Sequence, residues 1–385
     1  MDFEPSWAEA QIARTAREIA TRQIAPGAAA RDRDQSFPAA EMQALADAGL
    51  LGLCVPDEYG GSAAGPVALA LAVAEVARAD ASVAVTMSVT NMVGEIVSRF
   101  ARPELRHRLL PRLCSGEAIA GAFALSEPQS GSDAAAMATT ARPTEGGYLL
   151  RGSKQWITSG DRAGVLVVMA RMAGADARAI SAFVLEPPVA GLTAGRHEQK
   201  MGQRGSSTVA LALEDVFVPR SSLLAEEGEG FKVALSALDG GRIGVSALAI
   251  GIARAALEVA VGHARERKQF DRPLATFQAI QHMVADAATH LEAAWLLVLQ
   301  AAWAKEKGRP FTRLASEAKL LATERAVDVC DKAVQILGGY GYTREFPVER
   351  YLRDVRVTTI YEGTSQIQRL VIAKHLLRDA EARHA

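Results

Sequence analysis

The chain has 385 residues, too many for one small core and suited to two or three domains. Hydrophobic residues make up 49% and charged residues 23%, which excludes a disordered chain. With 43 basic and 44 acidic side chains the formal net charge is −1, so no general polyanion-binding surface is implied and no nucleic-acid partner is expected.

From Trp7 to about Ala120 the sequence is rich in alanine, with apolar residues at helical spacing; Val67–Arg78 and Met87–Phe100 read as helices. The turn Pro56-Asp57-Glu58-Tyr59-Gly60-Gly61 precedes them. From Gly121 short β-branched runs appear at Tyr148–Leu150, Val165–Met169, Ile180–Leu185 and Thr208–Leu213, with a hairpin turn at Glu145-Gly146-Gly147. Their spacing suits a compact antiparallel sheet or barrel. Beyond Glu226 long periodic segments return: Phe231–Lys268, Gln278–Lys307, Thr312–Leu337 and Tyr361–Leu377, with Gly338-Gly339-Tyr340-Gly341 as a helix stop. The expected division is a helical domain over 1–120, a middle antiparallel β-barrel over 121–226 and a C-terminal four-helix bundle over 227–385. The fold class is mostly α with a central β domain.

Cys54, Cys114 and Cys330 are far apart, which argues against a disulfide scaffold or a cysteine zinc site. The histidines include no H-E-x-x-H pair, and no metal is expected. Met1-Asp2-Phe3-Glu4-Pro5 lacks the basic start and apolar run of a signal peptide, and Arg254 and Glu258 interrupt the apolar stretch Ile243–Gly262. A cytoplasmic protein without a membrane span is expected. Nucleotide loops of the P-loop and Rossmann kinds are absent from the sequence, as is the G-x-S-x-G elbow.

Four segments carry possible chemistry. Phe123-Ala124-Leu125-Ser126-Glu127-Pro128-Gln129-Ser130-Gly131-Ser132-Asp133 offers hydroxyl and backbone groups to a planar polar ligand, or is a plain turn capped by Asp133. Trp156-Ile157-Thr158 reads on its own as a half-buried strand. Arg267-Lys268-Gln269-Phe270 either grips a phosphate or ends a helix with favourable charge. Tyr361-Glu362-Gly363-Thr364 sets a carboxylate beside a glycine, suited to close approach to a ligand; its plain alternative is an ordinary helix N-terminal glutamate.

Taken in this order, from Pro56–Gly61 to Ile360-Tyr361-Glu362-Gly363-Thr364-Ser365-Gln366-Ile367-Gln368-Arg369, these segments resemble the acyl-CoA dehydrogenase family, nearest its short-chain, butyryl-CoA branch. The resemblance implies FAD as cofactor, an acyl-CoA substrate, an electron-transfer flavoprotein as acceptor and a homotetramer. It implies flavin contacts from Phe123, Ala124, Leu125, Ser126, Gly131 and Ser132, with Ser132 also on the substrate's pantetheine side. Trp156, Ile157 and Thr158 would shield the flavin and meet its N5. Arg267 and Gln278 would take the pyrophosphate and adenosine. Gln335, Ile336, Leu337, Gly338 and Gly339 would form a cradle supplied by a neighbouring subunit, and Thr364 and Gln366 a last contact. Asp239, Arg242 and Gly363 match substrate-contacting positions, and Glu362 matches the catalytic base. One branch of the family carries the base where this chain has Gly241, which cannot serve.

The reaction so implied is α,β-dehydrogenation to a trans-2-enoyl-CoA: Glu362 takes the α-proton, flavin N5 takes the β-hydride, and the Glu362 N–H and a ribityl hydroxyl hold the thioester oxygen. Burial under substrate is expected to raise the Glu362 pKa toward neutrality. Met92, Val93 and Glu95 are expected to shape the acyl pocket. Gln129 and Asp271 stand where the family usually has glycine. An oxygen-using acyl-CoA oxidase, a non-catalytic CoA-binding protein of the same fold and a flavin monooxygenase, a group that generally lacks the carboxylate matched by Glu362, are the alternatives.

Overall fold

The computed structural model describes residues 4–174 and 179–384, with side chains to residue 378; Met1–Phe3, at the start of the N-terminal segment read above, lie outside the described residues. The N-terminal helices are α1 (Trp7–Ile19), α2 (Ala28–Asp34), α3 (Ala39–Asp47), α4 (Gly65–Ala79), α5 (Ala81–Phe100) and α6 (Pro103–Cys114). A capping box between Ser6 and Glu9 starts α1, and Asp80 caps α5 through Ser82 N.

The strands are β1 (Gly121–Ala124), β2 (Thr140–Thr144), β3 (Gly147–Thr158), β4 (Val165–Met172), β5 (Ile180–Leu185), β6 (Leu192–Ala194), β7 (Thr208–Pro219) and β8 (Leu223–Leu224). Among the described residues they form one sheet in the order β6-β7-β3-β2-β4-β5-β8, with β1 also on β4. The antiparallel expectation needs correction, because β1 and β2 both pair with β4 in parallel. Period-two alternation fixes which face a residue occupies but not the direction of the neighbouring strand. Between β1 and β4 the chain is long enough for the crossover that a parallel pair requires.

The long helix α7 (Gly230–Glu266) follows, then a small ladder of β9 (Lys268–Gln269) and β10 (Arg272–Pro273). The chain ends in α8 (Gln278–Glu306), α9 (Thr312–Leu337), α10 (Val348–Arg356) and α11 (Ser365–His384). One apolar core joins α4 and α5 to α7, α8 and α9, so the two helical regions bury their alanine-rich stripes against each other. A separate core fills the sheet around Tyr148, Phe183 and Leu211, and a third lies between α5, α6, β4 and the start of α7. Helices α5 and α7 are long and apolar enough to cross a membrane, yet 78% of each apolar window is buried inside the protein. They are core helices.

Candidate active site

The turn before α11 departs from the expected helix start at Tyr361. Glu362 has φ +54° and Gly363 φ +85°, and successive left-handed residues cannot continue a right-handed helix. A Cβ on Gly363 would also lie 2.7 Å from Gln368 Nε2. That amide donates to Glu362 O at 3.2 Å and to Gly363 O at 2.9 Å, while Lys319 Nζ donates to Gly363 O at 2.6 Å. Both carbonyls of the turn are therefore held from the α9 and α11 side.

The Glu362 side chain turns inward, and its Oε2 meets neither solvent nor a hydrogen-bond partner. It lies 2.5 Å from the point where a Cβ on Gly241 would stand, with Met92 Sδ 3.3 Å from the same point. The missing side chain on α7 is thus the slot that admits the carboxylate. Burial raises the Glu362 pKa to about 7, against the opposing pull of Arg242 and Lys319. Arg242 is buried, its Nη1 donating to Asp239 Oδ1 at 2.6 Å and to Ser316 Oγ at 3.2 Å, and Asp239 also accepts from Thr312. Arg242 Nε, Ser365 Oγ and Gln368 Oε1 are, like Glu362 Oε2, buried without partners. Such orphans gathered at one place mark a polar site that a ligand completes.

The residues expected to shape the pocket divide. Met92 adjoins the slot; Val93 lies under β1, 2.7 Å from where a Cβ on Gly121 would be; Glu95 pairs with Lys305 at 2.6 Å, beside Gly240.

Phe123 and Ala124 are fixed on β1 by pairing with Val167 and Val168. Leu125 is buried, Ser126 is half-buried, and Gly131 and Ser132 are exposed on the following loop. Ser126 O accepts from Gln155 N at 2.9 Å, which ties the loop to the strand carrying Trp156. Trp156 is not the half-buried strand aromatic that its segment suggests. It sits at a register shift in β3 with φ +62° and is 62% exposed, so the bulge presents the indole outward. Ile157 is buried, and Thr158 closes the strand opposite Thr208.

Two residues missed in the sequence anchor this loop. Glu127 and Lys154, 3% and 0% exposed, pair at 2.7 Å. Lys154 Nζ also donates to Leu125 O at 3.2 Å, and Glu127 accepts from the N–H groups of Ala138 and Thr139. Burial alone would raise Glu127, but Lys154 and Thr139 outweigh it and hold the carboxyl at about 2. The signal was available, since Lys154 shares strand parity with the inward Tyr148 and Leu150. Gln129 is tied to the same anchor: its amide donates to Glu127 Oε2 at 2.7 Å.

Arg267 and Ile336–Gly339 come together around a cleft of about 520 Å³, with His263, Leu274 and Tyr340. A Cβ on Gly338 or Gly339 would meet nothing within 4 Å, so both face open space. Gly338 has φ +61° and ψ −132°, a conformation essentially confined to glycine. A guanidinium, glycine backbone and apolar walls suit a dinucleotide with its pyrophosphate. Gln278 and Gln335 are exposed and outside the cleft lining, as is Gln366 in the first turn of α11; Thr364 Oγ1 caps that turn through Ile367 N. In the β9–β10 turn Phe270 and Asp271 both take positive φ, +51° and +63°, the geometry of a type I′ hairpin.

A last contact reaches the turn at Tyr361 from the middle of the chain. Gln203 Nε2 donates to Asp354 O at 3.1 Å and to the Tyr361 hydroxyl at 3.2 Å.

Comparison with known proteins places this geometry. Models of the acyl-CoA dehydrogenase N-terminal, middle and C-terminal domains match residues 7–117, 122–216 and 228–377. The mitochondrial short-chain specific acyl-CoA dehydrogenase of Homo sapiens is 46% identical over 370 residues, covering 95% of this chain and 89% of that protein. The chain belongs to the acyl-CoA dehydrogenase family. Butyryl-CoA dehydrogenase from Megasphaera elsdenii superposes with a TM-score of 0.96 at 39% identity, covering 98% of this chain and 100% of that one. So does a chain solved in work on the electron transferring flavoprotein of Acidaminococcus fermentans, at 41% identity, a TM-score of 0.96 and the same coverage. As an acyl-CoA dehydrogenase, this protein is an oxidoreductase with FAD as its cofactor.

Proposed function

We propose that this acyl-CoA dehydrogenase oxidises short acyl-CoA thioesters to trans-2-enoyl-CoA, with Glu362 as the base and electron-transfer flavoprotein as the electron acceptor. One observation carries the reading: a carboxylate whose Oε2 is buried without a partner fills the slot left by Gly241, where its pKa is raised to about 7. A base tuned to neutrality takes a weakly acidic proton best, because it is available ionised yet still basic. The Glu362 N–H is offered to the thioester oxygen, where a fixed donor is worth roughly 10²–10³ in rate. Arg242 and Lys319 oppose the effect of burial and favour the ionised carboxylate.

FAD, when bound, supplies the hydride acceptor. Arg267 with the backbone of Gly338 and Gly339 would hold its pyrophosphate side, and Ser126, Thr158 and Trp156 would line its ring. Arg267 and Ile336–Gly339 border one cleft, so they would serve one and the same cofactor. We further propose that each FAD is shared across a homotetramer interface, its ring against Ser126, Thr158 and Trp156 of one subunit and its pyrophosphate side in the Arg267 and Ile336–Gly339 cleft of the next, which fits the separation of the ring-lining residues from that cleft and the exposed Leu370 and Leu377 of α11. The closed barrel, the four-helix bundle and domain limits near residues 120 and 226 belong to the same proposal. The short-chain preference is supported by likeness to the short-chain and butyryl-CoA enzymes.

Anaerobic mixing of the FAD-loaded enzyme with acyl-CoAs of increasing length tests the reading. Flavin bleaching fastest with short chains is expected. Absence of bleaching with every acyl-CoA overturns the function, and an optimum on long chains overturns the preference.

A further inference from the structure

Lys319 lies on α9 with none of its surface exposed, a costly place for an ammonium group. Its helix face explains the burial: Ala315, Ala318, Ala322 and Ala326 are all buried, and Lys319 follows Ala315 by one turn. Among the described residues no carboxylate comes within ion-pair distance of it. The charged groups facing it are Glu362 from the turn before α11, Arg242 from α7 and Glu324 from α9 itself. Its Nζ donates instead to the carbonyl of Gly363, at 2.6 Å.

A stability role explains this arrangement poorly. An unpaired buried charge destabilises, and an apolar residue of similar volume commonly packs in its place at no loss. Nor is Lys319 needed to satisfy the carbonyl, which also accepts from Gln368 Nε2 at 2.9 Å. Two things would be lost with it. One is the second hold on a turn whose two residues are both left-handed. The other is a positive charge near a carboxylate whose Oε2 has no hydrogen-bond donor.

We propose that Lys319 is a positioning residue for proton abstraction: it fixes the Glu362–Gly363 turn so that the carboxylate keeps to its slot and ionises at neutral pH. The proposal rests on the reading of Glu362 as the base. Burial lowers the Lys319 pKa to about 8, with Glu362 raising it again and Arg242 opposing. The two groups therefore titrate in neighbouring ranges, and each favours the charged form of the other. Removing the lysine charge must raise the Glu362 pKa, so the acid limb of activity moves to higher pH.

The test compares Lys319→Met and Lys319→Arg as FAD-loaded enzymes, by flavin bleaching with acyl-CoA between pH 6 and 9 and by thermal unfolding. Lys319→Met should keep FAD and an equal or higher melting temperature. Its bleaching should slow about 10²-fold, the scale of a small misplacement of a reacting group. The midpoint of its acid limb should rise by about one pH unit. Lys319→Arg should restore the midpoint but only part of the rate, because a planar guanidinium does not reproduce a compact ammonium. Wild-type rate and midpoint in Lys319→Met overturn the proposal, as does a slower rate with a lower melting temperature and an unmoved midpoint. If Lys319→Met does not fold, Lys319→Arg decides: a slowed rate at the wild-type midpoint supports the proposal, and a wild-type rate refutes it. Wild-type enzyme that no acyl-CoA bleaches takes away the underlying reading, whereas bleaching by wild type beside an unaltered Lys319→Met removes this proposal alone.

Discussion

Glu362 sits in a slot bounded by Gly241 and Met92, with Arg242 and Lys319 near enough to act on its charge, whereas the cleft beside Arg267 is open and edged by two unshielded glycines. In the first region a missing side chain makes room for a carboxylate, and burial raises its pKa. In the second a missing side chain exposes backbone to whatever docks there. Glycine thus serves opposite ends at the two places, which a residue-by-residue reading of glycines as turn formers does not distinguish.

Mutations that treat the two regions alike should separate them. The largest effect is expected from Glu362→Gln, which keeps the shape of the buried side chain but cannot accept a proton. Flavin reduction should fall by about 10²–10⁴ or more with FAD retained. Stopped-flow bleaching at wild-type speed would remove Glu362 from its proposed role. Next comes Gly241→Ala, whose Cβ would stand 2.5 Å from Glu362 Oε2. Displacing the carboxylate should cost about 10² in rate, again with FAD bound; an unchanged rate would mean that the slot has slack. Gly339→Val should behave in the opposite sense, because nothing crowds its Cβ. The chain should fold normally and the loaded enzyme react at near-normal speed, while FAD affinity falls about tenfold. Titration of FAD into apoprotein checks this, and full affinity would show that backbone at Gly339 does not meet the cofactor.

The pH dependence sharpens the same contrast. The proposed base acts in its ionised form, so kcat/KM should fall as pH drops through about 7. The stability term has the opposite sign. A carboxyl raised in the folded state contributes fully below its unfolded value and is lost as pH rises through about 7. Glu362→Gln should abolish both dependences, and a wild-type activity limb below pH 5 would contradict the burial argument.

The smallest effect lies in the β9–β10 turn. Asp271→Gly relieves a left-handed conformation and should stabilise the protein by up to about 1 kcal/mol, seen as a modest rise in melting temperature with FAD binding unaltered. A lower melting temperature would mean that the aspartate makes a contact worth more than the strain.

Strong periodicity made some elements legible to the residue: Thr312–Leu337 and Ile180–Leu185 have the limits their patterns suggest. Others needed information a local window does not hold. The parallel partners of β4 depend on chain crossing, not on alternation. The helix expected from Tyr361 starts at Ser365, because the turn is held in its left-handed form by Gln368 and by Lys319, 44 residues away in sequence. Glu362 and Gly363 stood out as a carboxylate beside a glycine, but the slot at Gly241 is a fact of packing between α7 and the turn. Lys154 and Lys319 were passed over because lysine is read as a surface residue, although each interrupts an otherwise apolar stripe.

The closeness of position 241 to the Glu362 carboxylate also has a consequence for charge. A carboxylate placed at position 241 would enter the space that Glu362 Oε2 now fills. Two carboxylates so close could not both ionise, and one proton would be held between them. The glycine therefore keeps the slot to a single titrating group.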